Sequence, residues 1–244
     1  MKSWIAFWNI LVKDMRNYYL KPPNISWGLV FPVAWTLMFF LKSSTPVDVR
    51  QLLPGVMSLS VLFGTTSMLS VALTFERRSR SFERLLLAPL DLNLLMLAKT
   101  SGAVIFGLFN AFVPIFFAAF MTDLSGIRWL PVLGAVFLIS LTSTLLGLFI
   151  AVAVKEVFEA QTFSNFFRFP MIFLCGLFIP VQALPFFLQP FSYVLPLTYG
   201  ADILKTAISQ NGHLALSLNF GLLLVFAAGL FAISIRNVKR KWIY

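Results

Sequence analysis

Glu76-Arg77-Arg78-Ser79-Arg80-Ser81-Phe82-Glu83-Arg84-Leu85-Leu86-Leu87-Ala88-Pro89 is the densest charge cluster in a very apolar chain, and it separates two long apolar runs. Read as one helix, it places Phe75, Phe82, Leu85, Leu86 and Pro89 on one side. Glu76, Arg77, Arg80 and Arg84 crowd the other, with Glu76–Arg80 paired at i,i+4 and Arg80–Glu83 at i,i+3. Such a helix lies along a membrane surface, apolar stripe in the headgroups and charges in water. The plain alternative is an ordinary basic loop between spans. The sharper one is a docking element for a soluble partner.

Composition fixes the broad class. Of 244 residues, 59% are hydrophobic and only 11% charged, whereas a soluble domain carries roughly a quarter charged residues. The charges are also segregated between apolar runs, which describes an all-α, polytopic membrane protein. The net charge of +10 would raise nucleic acid as a partner for a soluble chain. Here it reflects lysines and arginines gathered in loops on one side of a membrane, and no nucleic-acid role is expected. A single cysteine, Cys175, excludes an internal disulfide or a thiolate metal cage, and it reads as a small buried hydrophobe. The lone histidine, His213, lies beside Asn211-Gly212 and reads as a surface residue, not a metal ligand.

Residues 2–20 are not a cleavable leader, because Lys13, Asp14 and Arg16 interrupt the apolar character. Trp4, Phe7, Trp8, Leu11, Val12, Met15, Tyr18 and Tyr19 repeat at helical spacing, opposite Lys2, Asn9, Lys13 and Arg16. This predicts an amphipathic interface helix over 1–23, anchored by Trp4 and Trp8, with Lys13 and Arg16 on its basic face and Pro22-Pro23 at its end. A bundle-packing helix is the alternative. The remainder, 24–244, reads as a six-span transmembrane domain. Spans are expected over about 25–41 (broken by Pro32), 52–75, 92–121, 129–154, 161–179 and 214–235. In the second, Thr66, Ser70 and Thr74 form a small-residue stripe suited to close helix contact, and Ser140, Ser143, Thr144 and Gly147 form another in the fourth.

The fifth span is unusual. Gln161, Asn165 and Arg168 carry a polar stripe into the membrane, which makes Asn165 and Arg168, with Thr66 and Ser70, candidates for a pathway or a dimer seam. Snorkelling of Arg168 to the near interface is the alternative. From about 180 to 200 the chain stays apolar but carries Pro180, Pro185, Pro190 and Pro196, so two short broken helices dipping into the outer leaflet fit better than a span.

Six spans put both termini on one side. That side collects fourteen Lys and Arg against four on the other, which predicts cytoplasmic termini and a cytoplasmic Glu76–Pro89 stretch. No Gly-x-x-x-x-Gly-Lys-Ser/Thr loop, no His/Asp/Glu cluster and no nucleophile–base constellation is legible. Every Asp and Glu lies near a predicted loop or span end, so the membrane region has no evident energy source. A membrane-embedded lipid-modifying enzyme is disfavoured by the same absences. A scaffold without transport remains as a third class.

Two motifs carry a resemblance. Glu76-Arg77, Glu83-Arg84-Leu85-Leu86 and Pro89 resemble the coupling helix of type 2 ATP-binding-cassette exporter permeases, with Arg80-Ser81 where that family usually has Gly-Thr. Cys175-Gly-Leu-Phe-Ile-Pro180, Leu184-Pro185 and Leu195-Pro-Leu-Thr-Tyr199 are similar to the family's Ser-Gly-x-x-Phe-Pro, Leu-Pro and Asn-Pro-Leu-Thr-Tyr run, with Leu195 replacing Asn. The resemblance implies a homodimeric permease in the inner membrane, served by two separate ATPase subunits that bind the ATP and Mg; this chain would hold no cofactor. It implies a coupling helix over about 76–90, with Glu76, Arg77, Arg80, Glu83, Arg84 and Pro89 at the ATPase. It also implies a re-entrant gate containing Pro180, Pro185, Pro196 and Tyr199. The expected cargo is amphipathic, lipid-like or drug-like, with a lipid-linked polysaccharide as the alternative.

Overall fold

The computed structural model describes residues 2–21, 30, 33, 34, 38, 48–87 and 90–243. Helix α1 (Lys2–Asp14) relaxes into a π-helical turn, Met15–Tyr19. Then come α2 (Val49–Arg78), α3 (Ser81–Leu86), α4 (Leu92–Ala118), α5 (Trp129–Ala153) and α6 (Val157–Leu174). A 3-10 turn at Val181–Ala183 precedes α7 (Gln189–Val194), α8 (Pro196–Ile208) and α9 (Leu216–Val238), which continues as a π-helical segment, Lys239–Ile243. The described residues contain no strand.

Helices α2, α4 and α6 start where the sequence supplies acceptors for otherwise orphaned amides. Asp48 takes the Arg50 amide at 2.9 Å to open α2, and Asp91 takes that of Asn93 at 3.1 Å to open α4. At α6, Glu159 reaches back to the amides of Lys155 and Glu156 at 2.9 and 3.2 Å.

Helices α2, α4, α5 and α9 with its extension are long and apolar enough to cross a membrane. They cover the predicted second, third, fourth and last spans with ends shifted by a few residues. Helix α6 is 18 residues long, begins earlier than expected and stops at Leu174; its Glu159, Gln161, Asn165 and Arg168 keep it out of that apolar set. The predicted first span, with Pro32, lies outside the described residues apart from positions 30, 33, 34 and 38.

The 30-residue α2 is the axis of the bundle, packed against α4, α5, α6 and α8. Apolar burial gives no drive between helices in lipid, so close approach relies on small residues. The predicted stripes meet there. The Ser70 and Ser164 hydroxyls pair at 2.9 Å between α2 and α6, and Gly147 of α5 lies against the Thr66 carbonyl. Helix α9 buries one stripe, Asn219, Leu223, Ala227, Ser234 and Val238, and leaves the rest of its surface largely exposed.

At the bundle end away from α1, the segment after α6 is broken, as its prolines require. Pro190 and Pro196 sit in the first turns of α7 and α8, where a missing amide costs nothing. Helix α8 runs on to Ile208, beyond the predicted limit near residue 200, because no proline follows Pro196 in it. Cations gather at its C-terminal carbonyls. Arg50 donates to the Ile208 carbonyl at 2.9 Å and Arg128 to that of Thr206 at 2.8 Å, while Lys205 reaches from α8 to the Gly176 carbonyl just after α6. Asp202 accepts the His213 and Leu214 amides at 2.9 Å each, and the Asn219 amide group at 2.7 Å. That buried carboxylate shapes the turn into α9.

Candidate functional site

The opposite end of the bundle brings together α1, the junction of α2 and α3, the start of α4 and the C-terminal segment. Helix α2 does not continue through the charged stretch. It ends at Arg78, and Arg80 takes a left-handed backbone with φ 56° before α3 begins at Ser81. The Ser79 and Ser81 hydroxyls hold the turn, both donating to the Glu76 carbonyl at 3.1 Å. The single continuous helix expected from residue 76 to 89 is therefore two helices at a sharp turn. Phe82 is 1% exposed, whereas Phe75 is exposed, so the predicted common apolar face does not exist.

The break separates the expected ion pairs. Neither Glu76–Arg80 nor Arg80–Glu83 occurs among the described residues. Glu76 points inward and is 1% exposed. It accepts from the ammonium groups of Lys13 at 2.6 Å and Lys99 at 2.5 Å, and from the Tyr18 phenol. Lys99 also donates to Asp14 at 3.0 Å. Two carboxylates and two ammonium groups thus neutralise one another where α1, α2 and α4 meet, in a space that leaves no room for a water. Lys13 turns toward this cluster, not onto the outer basic face of α1. Glu76, expected to face a partner, is instead the bolt that holds α1 to the bundle.

The electrostatics follow the geometry. Burial pushes Lys13 down, but the hydrogen bond and charge of Glu76, helped by Asp14, outweigh it and leave its pKa raised. Burial raises the Asp14 carboxyl despite the nearby Lys99 ammonium. Tyr18 is pushed up to about 12 by burial and the Glu76 charge, and burial also raises Tyr19.

What the junction presents outward is the turn itself. Arg78, Arg80, Glu83 and Arg84 are exposed, and Arg78 pairs with Glu156 at the start of α6 at 2.6 Å. Arg77 is half-buried, its guanidinium 4.3 Å from the Trp242 ring centre and donating to the Val154 carbonyl at 3.3 Å. Phe82 packs edge-on against Trp242 at 5.0 Å, so α3 rests on the C-terminal segment. Pro89 lies outside the described residues. On α1 and the π-helical turn that follows it, Trp4, Trp8 and Arg16 are exposed, while Ile10, Leu11 and Tyr19 are buried.

In the interior, Arg168 is 2% exposed and donates to Asn165 at 2.5 Å, with its guanidinium 4.5 Å from the Phe63 ring centre. Its head is enclosed within the bundle. Gln161 is exposed, so the three-residue polar stripe does not share one environment. At the far end, Pro180 and Pro185 are exposed, Pro196 is half-buried, and Tyr199 is buried with its hydroxyl donating to the Tyr193 carbonyl at 2.6 Å. Cys175 is a buried free thiol. The described residues hold no metal-binding group of His, Cys, Asp and Glu.

Sequence reasoning missed the inward roles of Glu76 and Lys13, and with them Asp14 and Lys99. The available signal was Lys99, a lysine inside an apolar run that needs a counter-charge. It also missed the polar clamp made by Arg50, Arg128, Asp202 and Asn219.

The sequence profile of the ABC-2 type transporter family matches residues 5–208. The inner membrane transport permease YadH of Escherichia coli (strain K12) is 24% identical, over 97% of this chain and 96% of the relative. Nodulation protein J of Sinorhizobium fredii (strain NBRC 101917 / NGR234) is 27% identical, over 98% and 94%. Nodulation protein J of Bradyrhizobium diazoefficiens is 30% identical over 46% of this chain and 44% of its own length. The helical bundle of the described residues, with four helices apolar enough to cross a membrane, and this match together place the chain in the ABC-2 type transporter family, as the transmembrane permease subunit of an ABC transporter.

Proposed function

We propose that this chain is half of the membrane channel of an ATP-driven exporter. Two copies span the inner membrane with six helices each and both termini in the cytoplasm. Two separate ATPase subunits dock beneath them and bind the ATP and Mg. The cargo is an amphipathic, lipid-like or drug-like molecule taken from the cytoplasm or the inner leaflet. Export of a lipid-linked polysaccharide is the second reading.

The observation that carries the proposal is the pairing of an exposed ionic turn with a buried ionic junction directly behind it. Arg78, Arg80, Glu83 and Arg84 face outward, and one helical turn away Glu76 ties α2 to α1 and α4 through Lys13 and Lys99. A push on the turn is thereby delivered to three helices as one body. The rest of the bundle follows because α2 packs against α4, α5, α6 and α8. Glu83 and Arg84 make the docking contact in this scheme, and Glu76 transmits.

Charge reversal at Glu83 or Arg84 tests it. ATPase association and transport should fall while membrane insertion is retained. Unchanged association in both variants would overturn the docking role, and turnover of a lipid substrate by the purified chain without ATP would favour an enzyme.

A further inference from the structure

Among the described residues the bundle interior holds two buried cations, and they are treated differently. Lys99 is matched by Asp14 and Glu76. Arg168, equally buried, has neither a carboxylate partner nor a hydrogen-bond partner for its Nε among the described residues. Its one polar contact among the described residues is the neutral Asn165 side chain. The guanidinium lies over Phe63, which stands midway along the 30-residue α2, a helix long and apolar enough to cross a membrane, and a span of that length puts it near mid-depth. An uncompensated charge at that depth is costly and is retained where it serves a pathway.

No acidic side chain of this protein supplies the missing anion. The chain has nine acidic residues, all of them described. Asp14 and Glu76 belong to the lysine cluster, Asp202 is held by amides at the far end, and the others stand at helix ends or in loops. A second copy would bring the same acids at the same depths. The counter-charge therefore comes from outside the polypeptide.

We infer that Arg168 is the recognition point for the anionic headgroup, a phosphate or carboxylate, of the amphiphile this permease moves. The guanidinium presents a planar set of donors matched to such oxygens. Phe63 and Asn165 cover it until the anion arrives, and the Ser70–Ser164 hydroxyl pair one turn along the same α2–α6 seam adds polar groups beside it. The apolar tail would lie along the lipid-facing phenylalanines of α6, such as Phe166 and Phe169, which are exposed. The inference rests on reading the chain as an exporter permease, and it names the charge of the cargo.

The test uses the full chain in phosphatidylcholine vesicles and a photoactivatable dodecyl phosphate, with the uncharged dodecyl alcohol as comparator. Crosslinks are mapped by peptide mass spectrometry, which separates this site from basic surface residues. The phosphate probe should label the α2 and α6 peptides around Phe63 and Arg168. Arg168→Gln should cut that labelling about tenfold, and Arg168→Lys should restore much of it. Displacement by added phosphatidylglycerol would identify the headgroup as that of a bilayer lipid, and resistance to it would point to a distinct anionic amphiphile. Equal labelling by the alcohol, unchanged labelling in Arg168→Gln, or full displacement by inorganic phosphate would overturn the inference. The alcohol comparison needs no variant, so it decides even if Arg168→Gln fails to fold. Labelling requires no ATPase, so loss of the docking reading and loss of this site are separate results.

Discussion

Lys99 of α4 donates to Glu76 of α2 at 2.5 Å, inside the bundle and directly behind the turn that exposes Arg78, Arg80, Glu83 and Arg84. A buried pair of this kind contributes little net energy when made, yet removing one partner strands the other. Lys99→Met should destabilise the protein by about 3–5 kcal/mol, because Asp14 and Glu76 would be left with Lys13 alone. Adding Glu76→Gln to Lys99→Met should recover part of that loss. Thermal unfolding in detergent for the single and double variants measures the coupling, and strictly additive effects would mean the contact is not formed.

Alkaline pH should release α1. Lys13 has its pKa raised in the fold, so its contribution is fully present below its ordinary value of 10.5 and is lost as pH climbs through the folded value. Tyr18 acts in the same direction: its neutral phenol is favoured in the fold, so stability falls as pH rises from 10.0 toward about 12. Leu11→Cys, at a buried position on α1, should therefore react with a thiol reagent much faster at high pH, after correction for thiolate formation. Lys13→Met with Tyr18→Phe should flatten the dependence. A rate that follows thiolate formation alone in both backgrounds would refute it.

Arg80 occupies a backbone conformation that glycine adopts without steric cost, and it stands where the resembling permeases usually have glycine. Arg80→Gly should stabilise the turn by about 1 kcal/mol, and Arg80→Val should destabilise it, since a β-branched residue fits this region poorly. Melting temperatures of the two variants should move in opposite directions. If Arg80→Gly leaves ATPase association intact, the arginine side chain is dispensable for docking.

The sequence revealed elements better than partners. Period and length predicted α2, α4, α5 and α9, because a span must be apolar over its whole depth whatever it packs against. The proline spacing predicted the broken segment, because each proline lacks an amide to donate and its ring clashes with the preceding turn. Glu76 misled because i,i+4 proximity to Arg80 presupposes an unbroken helix, and the break at Arg80 is a left-handed residue without a glycine to announce it. Its true partners are 63 and 23 residues away, beyond any local pattern. Arg168 was legible as an oddity, but its isolation became visible only once every acid in the chain had a place.

The close seam between α2 and α5 offers the sharpest packing test. A Cβ on Gly147 would collide with the Thr66 carbonyl, a backbone atom that cannot swing aside. Gly147→Ala must therefore move one helix away from the other, at a cost of about 1–3 kcal/mol, although alanine is the better helix former. Gly221 of α9 is the control: nothing lies within 4 Å of its would-be Cβ. Gly221→Ala should be neutral or stabilise by up to about 1 kcal/mol. Unfolding in detergent should thus separate two chemically identical substitutions by the sign of their effect. A Gly147→Ala protein as stable as the parent would mean that α2 and α5 do not touch as described.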